Sequence, residues 1–456
     1  MKTDSRATAL LILNTQEEQK ITIDMVMDNV LTKSSPLSRR DKALVTALVY
    51  GVLRQRGTLD WIIAHFSKTP LKKIELLILN TLRLGTFQII FMDKIPDSAA
   101  VNTSVQLVKT EKKQRLSGFV NGILRNITRN HNSVPYPSFN EDPVSYLCIK
   151  ESFPLWLITK WIDRMGVDQT KNLCKNINKI PPITIRVNTL KRTQEEVIHN
   201  LKFDIKKVVP TFYSPIGISF YRPGKSIPEI EGFNEGFFQV QDEAAQLITN
   251  LLDPQPGEYI LDACAGLGGK TAHIAQLMQN KGKIIAMDHD VKKLLQLEKE
   301  MKRLGISIVK IAQHDLKKVP NSEKFNLFDR ILVDAPCSGL GVLRRNPDSK
   351  WSLLKKNLTR YKKRQLNFLN NIAGLLKPSG TLVYAVCSNE PEENEDVMEA
   401  FIKNHPNFII EKKPVGLSPS ALKLVDEKGY LKTTPEIGDM DGFFSVNLIL
   451  KSCHNG

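Results

Sequence analysis

Apolar residues recur every third or fourth position through the first third of the chain: at Ala43, Leu44, Ala47, Leu48, Gly51 and Val52, at Ile74, Leu77, Ile78, Leu82 and Leu84, and from Phe119 through Ile123 to Ile127. That period keeps one face of a helix dry, so residues 1–135 are predicted to form an all-α domain. Breaks fall at Ser34-Ser35-Pro36, Thr69-Pro70 and Ile95-Pro96-Asp97-Ser98, with Ser98 placed to cap the helix that follows. Pro135 and Pro137 mark His131 to Phe139 as a linker. Beyond it, Pro154 to Met165 reads as a helix carrying Trp156 and Trp161, and Ile183 to Asn188 alternates as a strand does. Residues 145–236 are therefore predicted to be a small α+β module.

From Gln239 the pattern changes to short apolar runs alternating with amphipathic stretches. Strands are predicted at Tyr259 to Leu261, Lys283 to Met287, Ser307 to Ile311, Arg330 to Val333 and Thr381 to Val386, and helices at Thr271 to Gln279 and Val291 to Leu304. Such alternation builds a mostly parallel, doubly wound α/β sheet of the Rossmann-like kind, here over residues 237–452. Two of its apolar runs end alike, in Asp334-Ala335-Pro336-Cys337-Ser338 and Tyr384-Ala385-Val386-Cys387-Ser388. Each thiol falls at the carboxyl tip of a strand, facing the crevice where open α/β sheets bind ligands. Two thiols at one crevice point to covalent chemistry.

Composition narrows the setting. The 456 residues carry a formal net charge of +16, and residues 1–130 alone hold 20 Lys or Arg against 11 Asp or Glu. A polyanionic partner is expected, because each phosphate neutralised releases counterions. Arg39, Arg40, Arg54, Arg56, Lys112, Lys113, Arg115, Arg125 and Arg129 are candidates for an RNA-facing surface, with a solvated helical face as the alternative for any one of them. Six cysteines stand far apart with no Cys-x-x-Cys pair, which argues against zinc and against a disulfide scaffold. The apolar run Ala9 to Leu13 is too short for a signal-peptide core, so a cytoplasmic protein with free thiols is expected, without membrane or metal.

Asp262 to Thr271 lies between a strand and a helix, where glycines let backbone approach a ligand. A triphosphate-gripping loop would need glycine at Cys264, and a dinucleotide fingerprint would need its third glycine at Thr271. An adenosine cofactor without pyrophosphate remains, and S-adenosyl-L-methionine fits. Asp288 is expected at the ribose hydroxyls and Asp315 at the adenine edge. The turn Cys264, Ala265, Gly266, Leu267, Gly268 and Gly269 would flank the amino-acid end, with a purely structural turn as the alternative.

These elements, together with Asp439-Met440-Asp441-Gly442-Phe443-Phe444, resemble the RsmB/Sun/NOL family of RNA 5-methylcytosine methyltransferases. In the first third, Arg40-Asp41-Lys42-Ala43-Leu44, Tyr50-Gly51-Val52-Leu53-Arg54, Leu82-Arg83-Leu84-Gly85, Ala99-Ala100-Val101-Asn102 and Phe119-Val120-Asn121-Gly122-Ile123-Leu124-Arg125 resemble the NusB-like domain fused to the family's bacterial ribosomal-RNA branch. The resemblance implies a class I methyltransferase domain acting on a cytosine of small-subunit ribosomal RNA. It implies Cys387 as the nucleophile and Cys337 as the thiol that assists elimination. Asp334, protonated, would bond the ring N3 or the amino group and also border the cofactor, and Lys270 would lie near the reacting thiol or the base.

The chemistry has its own logic. Carbon 5 of cytosine attacks a sulfonium methyl poorly until a thiolate adds at carbon 6, and a second group must then remove the proton from carbon 5. The chain departs from the family pattern at Gly266-Leu267, where Ala-Pro is usual, and at Val386, where threonine is usual.

Residues 340–364, with nine Lys or Arg and one acid, would grip RNA phosphates, Trp351 stacking or packing. The substrate would be an unstacked loop cytosine and the enzyme a monomer. Cys148, Cys174 and Cys453 are expected to be packed thiols, and Cys264 to line the turn without reacting. Transfer RNA as substrate, or a non-catalytic RNA-binding or antitermination factor, remain the alternatives.

Overall fold

Gly51 lies against the Phe87 ring so closely that a Cβ would sit 2.0 Å from Cζ, which lets two long helices, Arg39–Phe66 and Leu76–Phe91, meet. The computed structural model describes residues 4–33, 37–221, 223–321 and 325–451. The break expected at Ser34-Ser35-Pro36, and Cys453, lie outside them. The chain divides into two units, Met1–Lys179 with Leu343–Leu354, and Ile180–Val342 with Lys355–Gly456.

The first unit is helical, as the periodicity requires. Arg83, buried in the middle of Leu76–Phe91, bonds Asp60 at 2.7 Å, Glu17 at 2.9 Å and Asn80 at 2.8 Å, which tethers three helices and accounts for an arginine inside an apolar run. The helix predicted to be capped by Ser98 instead starts at Asp97 after Pro96, and no side chain caps it. Arg54 and Arg56 do not face outward: Arg54 donates to the Arg344 carbonyl at 2.9 Å and Arg56 pairs with Glu17 at 3.1 Å. Arg39, Arg40, Lys112, Arg115, Arg125 and Arg129 are exposed, and Lys113 pairs with Glu75.

Residues 343–354 correct a second expectation. Arg344 and Lys350 are each 1% exposed within this unit, and Trp351 Nε1 donates to the Leu53 carbonyl at 2.7 Å. Arg344 is packed away from solvent, and Lys350 and Trp351 cap carbonyls instead of meeting it. The basic residues that remain exposed in this stretch, Lys355, Lys356, Arg360 and Lys363, lie on the following helix, Lys355–Ile372, in the second unit.

The second unit opens with a small antiparallel sheet of strands β1 (Ile183–Val187), β2 (Val208–Pro210), β3 (Gly217–Phe220) and β4 (Phe238–Val240), in the order β2-β3-β1-β4. Its helix Gln194–Asp204 starts on a capping box between Thr193 and Glu196.

The large sheet holds β5 (Tyr259–Asp262), β6 (Lys283–Asp288), β7 (Val309–Gln313), β8 (Phe328–Asp334), β9 (Leu376–Val386), β10 (Phe408–Ile410), β11 (Tyr430–Thr433) and β12 (Phe443–Leu450). Strands run β10-β12-β9-β8-β5-β6-β7, with β11 on β12. β5 through β9 are parallel as expected, whereas β10, β11 and β12 pair antiparallel, which the sequence reading did not anticipate. Strand order reverses between β5 and β8, so the ligand crevice of a doubly wound sheet opens at their carboxyl ends. Among the described residues no helix is long and apolar enough to cross a membrane.

Candidate active site

Five strand ends, those of β5 through β9, supply the site. After β5 the chain turns through Gly266 (φ 54°) and Gly268 (φ 87°) into helix Gly269–Leu277. Gly268 is there for packing, since a Cβ would meet Leu297 at 2.6 Å. Gly266 differs: a Cβ on it would meet nothing within 4 Å, and it borders a cleft of about 370 Å³. The start of the helix is held from below by Arg186 of β1, fully buried, which donates to the Gly269 carbonyl at 2.9 Å and to Gln239 at 2.9 Å. Burial pulls that guanidinium down to about 9.

The cleft runs from the turn to both cysteines. Cys264, Gly266, Asp288 and Asp315 line one end, and Asp334, Pro336, Cys337 and Cys387 the other. Of the remaining turn residues, Ala265 extends the ladder by donating to the Met287 carbonyl, Leu267 is 57% exposed, and Gly268 and Gly269 shape the helix start. None of these four lines the cleft, and neither does Lys270.

Asp288, at the end of β6, accepts from Gly266 N at 3.0 Å and Asp290 N at 2.9 Å, so its carboxylate is fixed beside the turn. Asp315 is half-exposed, and its carboxyl is held low mainly by the hydrogen bond from Lys317 N. Carboxylates for hydroxyls and amines, an apolar wall at Pro336 and Phe368, and an open glycine backbone match the chemistry of an adenosine ligand.

At the other end Cys337 and Cys387 lie sulfur to sulfur at 3.0 Å, both as free thiols. The hydrogen bond to Cys387, then burial, then the charge of Cys387 and Glu393 hold the Cys337 thiol well above its ordinary range. Either sulfur can donate to the other across this contact. Lys270 Nζ donates to Asp334 Oδ2 at 2.6 Å. Burial pulls this ammonium down, but Asp334, with Cys387 and Asp262, more than offsets it and raises it. The ion pair ties Asp334, at the end of β8, to the start of helix Gly269–Leu277.

Cys264 is partly buried in the cleft wall, and desolvation together with Asp334, Asp262 and Asp288 pushes its thiol far up, as suits an inert wall. Burial also raises Cys148, to about 11, and Cys174. Sequence reading missed Arg364 and Phe368, which reach the cleft from Lys355–Ile372, as well as Lys293. The spacing of four between Arg364 and Phe368 was the available signal, hidden inside a run read only as basic.

A family model described as 16S rRNA methyltransferase RsmB/F matches residues 249–449, one described as NusB family matches residues 3–129, and one described as an RsmF/B-like ferredoxin-like domain matches residues 153–226. The chain is 35% identical over 450 residues to a probable ribosomal RNA small subunit methyltransferase B of Bacillus subtilis (strain 168), covering 98% of this chain and 99% of the relative. It is 32% identical over 435 residues to ribosomal RNA small subunit methyltransferase B of Escherichia coli O6:K15:H31, covering 95% and 96%. Among solved structures, PH0851 superposes with a TM-score of 0.81 at 28% identity, covering 98% of this chain and 99% of its own. A methyltransferase homologue from Pyrococcus horikoshii gives 0.56 at 26% identity, covering 66% and 97%.

Proposed function

The chain belongs to the 16S rRNA methyltransferase RsmB/F family, and on that premise we propose that it transfers methyl from S-adenosyl-L-methionine to carbon 5 of a cytosine in small-subunit ribosomal RNA. The observation that carries this reading is the single cleft joining the open glycine turn, Asp288 and Asp315 to the two sulfurs. The cofactor, when bound, supplies an electrophilic methyl group, and Asp288, Asp315 and the backbone at Gly266 would hold it.

Cys387 is the nucleophile. Its thiolate adds to carbon 6 of the cytosine, the carbon 5–carbon 6 double bond opens, and carbon 5 gains the electron density it needs to attack. Asp334, ionised and anchored by Lys270, accepts from the exocyclic amino group and orients the ring. Cys337 first serves as donor to the Cys387 sulfur, which favours Cys387 as the thiolate of the pair. Once that sulfur is bonded to carbon its charge is gone, and the hydrogen bond and the charge of Cys387 that raise the Cys337 thiol go with it, while its burial remains. Cys337 then gives its proton to solvent more readily and, as the thiolate, takes the proton from carbon 5. The released pair re-forms the double bond and the carbon–sulfur bond breaks, returning Cys387 as thiolate.

Carbon 6 is shielded in a stacked helix, so the target is an unstacked cytosine. The relatives' names favour small-subunit ribosomal RNA over transfer RNA. The test is transfer of labelled methyl from S-adenosyl-L-methionine by the full-length protein to either RNA, with bisulfite mapping of the product. Modified cytosine in small-subunit ribosomal RNA is expected. No transfer to naked rRNA or to partly assembled subunits would instead favour a binding factor.

A further inference from the structure

Each cysteine is followed by a serine, and both serines turn away from the cleft toward one buried carboxylate. Glu393, 0% exposed at the end of the turn Pro391–Glu393, accepts from Ser338 N at 2.8 Å and Gln365 Nε2 at 3.1 Å on one oxygen. Its other oxygen accepts from the hydroxyls of Ser338 and, at 2.6 Å, Ser388. The two hydroxyls are themselves 3.3 Å apart. Gln365 passes the network on to the Pro336 carbonyl at 3.2 Å, one residue before Cys337, and Tyr384 OH bonds the Glu393 carbonyl at 2.7 Å from within β9. Every donor named to the carboxylate is neutral, an expensive way to bury a charge unless its geometry serves something.

We propose that Glu393 is the positioning residue of the two-thiol site, fixing the separation and register of Cys337 and Cys387 by clamping the serine that follows each. The proposal rests on the methyltransferase reading for its consequence in catalysis, but the clamp itself is a matter of thiol geometry. A carboxylate is the group suited to it, because each of its oxygens takes two donors, so one side chain ties both strand ends at once. Its charge also lies beside Cys337, which faces Cys387, Glu393, Tyr361 and Tyr384, and it helps keep that thiol protonated as the donor of the pair.

The test compares Glu393→Ala and Glu393→Gln in the full-length protein. A loosened clamp lets the reacting atoms drift, so Glu393→Ala is expected to lose about 100-fold in kcat with the KM for S-adenosyl-L-methionine unchanged. Glu393→Gln keeps the shape but only one of the two acceptor oxygens, so its kcat should fall between those of wild type and Glu393→Ala. Independently of RNA, site-resolved alkylation of Cys337 by iodoacetamide, followed by mass spectrometry, should begin at lower pH in Glu393→Gln than in wild type, because a negative neighbour is gone.

If Glu393→Ala does not fold, Ser338→Ala and Ser388→Ala carry the same test, each expected to lower kcat by about tenfold with cofactor affinity intact. A folded Glu393→Ala with wild-type kcat overturns the proposal. So does an unshifted alkylation profile in Glu393→Gln, or a loss of kcat that merely parallels lost cofactor binding. Failure of the methyltransferase reading looks different: wild type would transfer no methyl, while the alkylation shift would still report the Glu393 charge beside Cys337.

Discussion

The sulfur atoms of Cys337 and Cys387 lie 3.0 Å apart beyond the carboxyl ends of β8 and β9, which are adjacent and parallel. Two thiols this close divide a proton between them, and the charge of one holds the proton on the other. Because Cys337 is the one pushed up, Cys387→Ala is expected to abolish both methyl transfer and any covalent protein–RNA species. Cys337→Ala keeps the nucleophile but loses the group that frees it, so a denaturation-resistant RNA adduct should accumulate. Labelled-methyl transfer and denaturing gels read both outcomes, and the reverse pattern would exchange the two roles.

The loops after the cysteines are locked by backbone alone at Gly341. Its N–H donates to the Cys387 carbonyl at 3.0 Å, and its own carbonyl accepts from Gly442 N at 2.8 Å. A Cβ there would stand 1.9 Å from the Gly442 oxygen and 3.1 Å from the Cys387 carbonyl carbon, so Gly341→Ala must push the loops apart. We expect a loss of about 100-fold in kcat, because displacements near 1 Å at a reacting centre cost that much. Equilibrium dialysis should find S-adenosyl-L-methionine bound as in wild type, since the turn at Gly266 lies on another strand end. A variant with unaltered turnover would mean that this contact does not hold the thiols.

Much of this arrangement was legible before any coordinates. Helical periodicity located the helices around Leu48, Leu82 and Ile123, and the apolar runs ending in Asp288, Asp334 and Val386 located the strands whose tips meet at the cleft. What escaped was of two kinds. β10 and β11 are too short to show a period of two, and although Phe444-Ser445-Val446-Asn447-Leu448 alternates in β12, the antiparallel pairing of all three is set by tertiary contact. Burial of charge also escaped, because Arg344, Lys350 and Glu393 read as surface residues until the carbonyls and hydroxyls that receive them are brought close.

The basic stretch therefore divides into two classes with different signatures. Lys350 Nζ donates to the Arg54 carbonyl at 3.0 Å and to Asn178 Oδ1 at 3.3 Å, and lies 4.0 Å from the centre of the Phe153 ring. Burial pulls its ammonium down to about 7. Lys350→Ala should cost roughly 1–3 kcal/mol of stability in thermal or urea unfolding, by stranding buried acceptors, and leave the salt dependence of RNA binding unchanged. Lys355→Ala with Lys356→Ala removes two exposed cations and should reduce the slope of log K against log salt by about 2 with stability unaltered. Filter binding across a salt series separates them, and a changed slope in Lys350→Ala would return that residue to the RNA surface.

Asp262, at the end of β5, gives the fold a pH dependence of predictable sign. One carboxylate oxygen accepts from the Thr271 hydroxyl at 2.7 Å, and the other is buried without a hydrogen-bond partner among the described residues. Burial drives the group up to about 7, with Asp334 and Asp288 adding to the rise and Thr271 and Lys270 opposing it. A folded-state value above the unfolded one means the neutral acid is favoured in the fold. Its contribution to stability is then fully present below about pH 4 and fades as pH rises through about 7. Over that window the loss amounts to about 4 kcal/mol, at about 1.36 kcal/mol per unit of displacement. Asp262→Asn keeps the shape and an acceptor for Thr271 but carries no charge to bury, so its stability relative to wild type should climb from pH 5 to about pH 7 and then level off. Urea unfolding of both proteins across that range measures the climb. A difference that stays flat, or that turns in favour of wild type at pH 8, would mean the carboxylate is stabilised in its charged form after all.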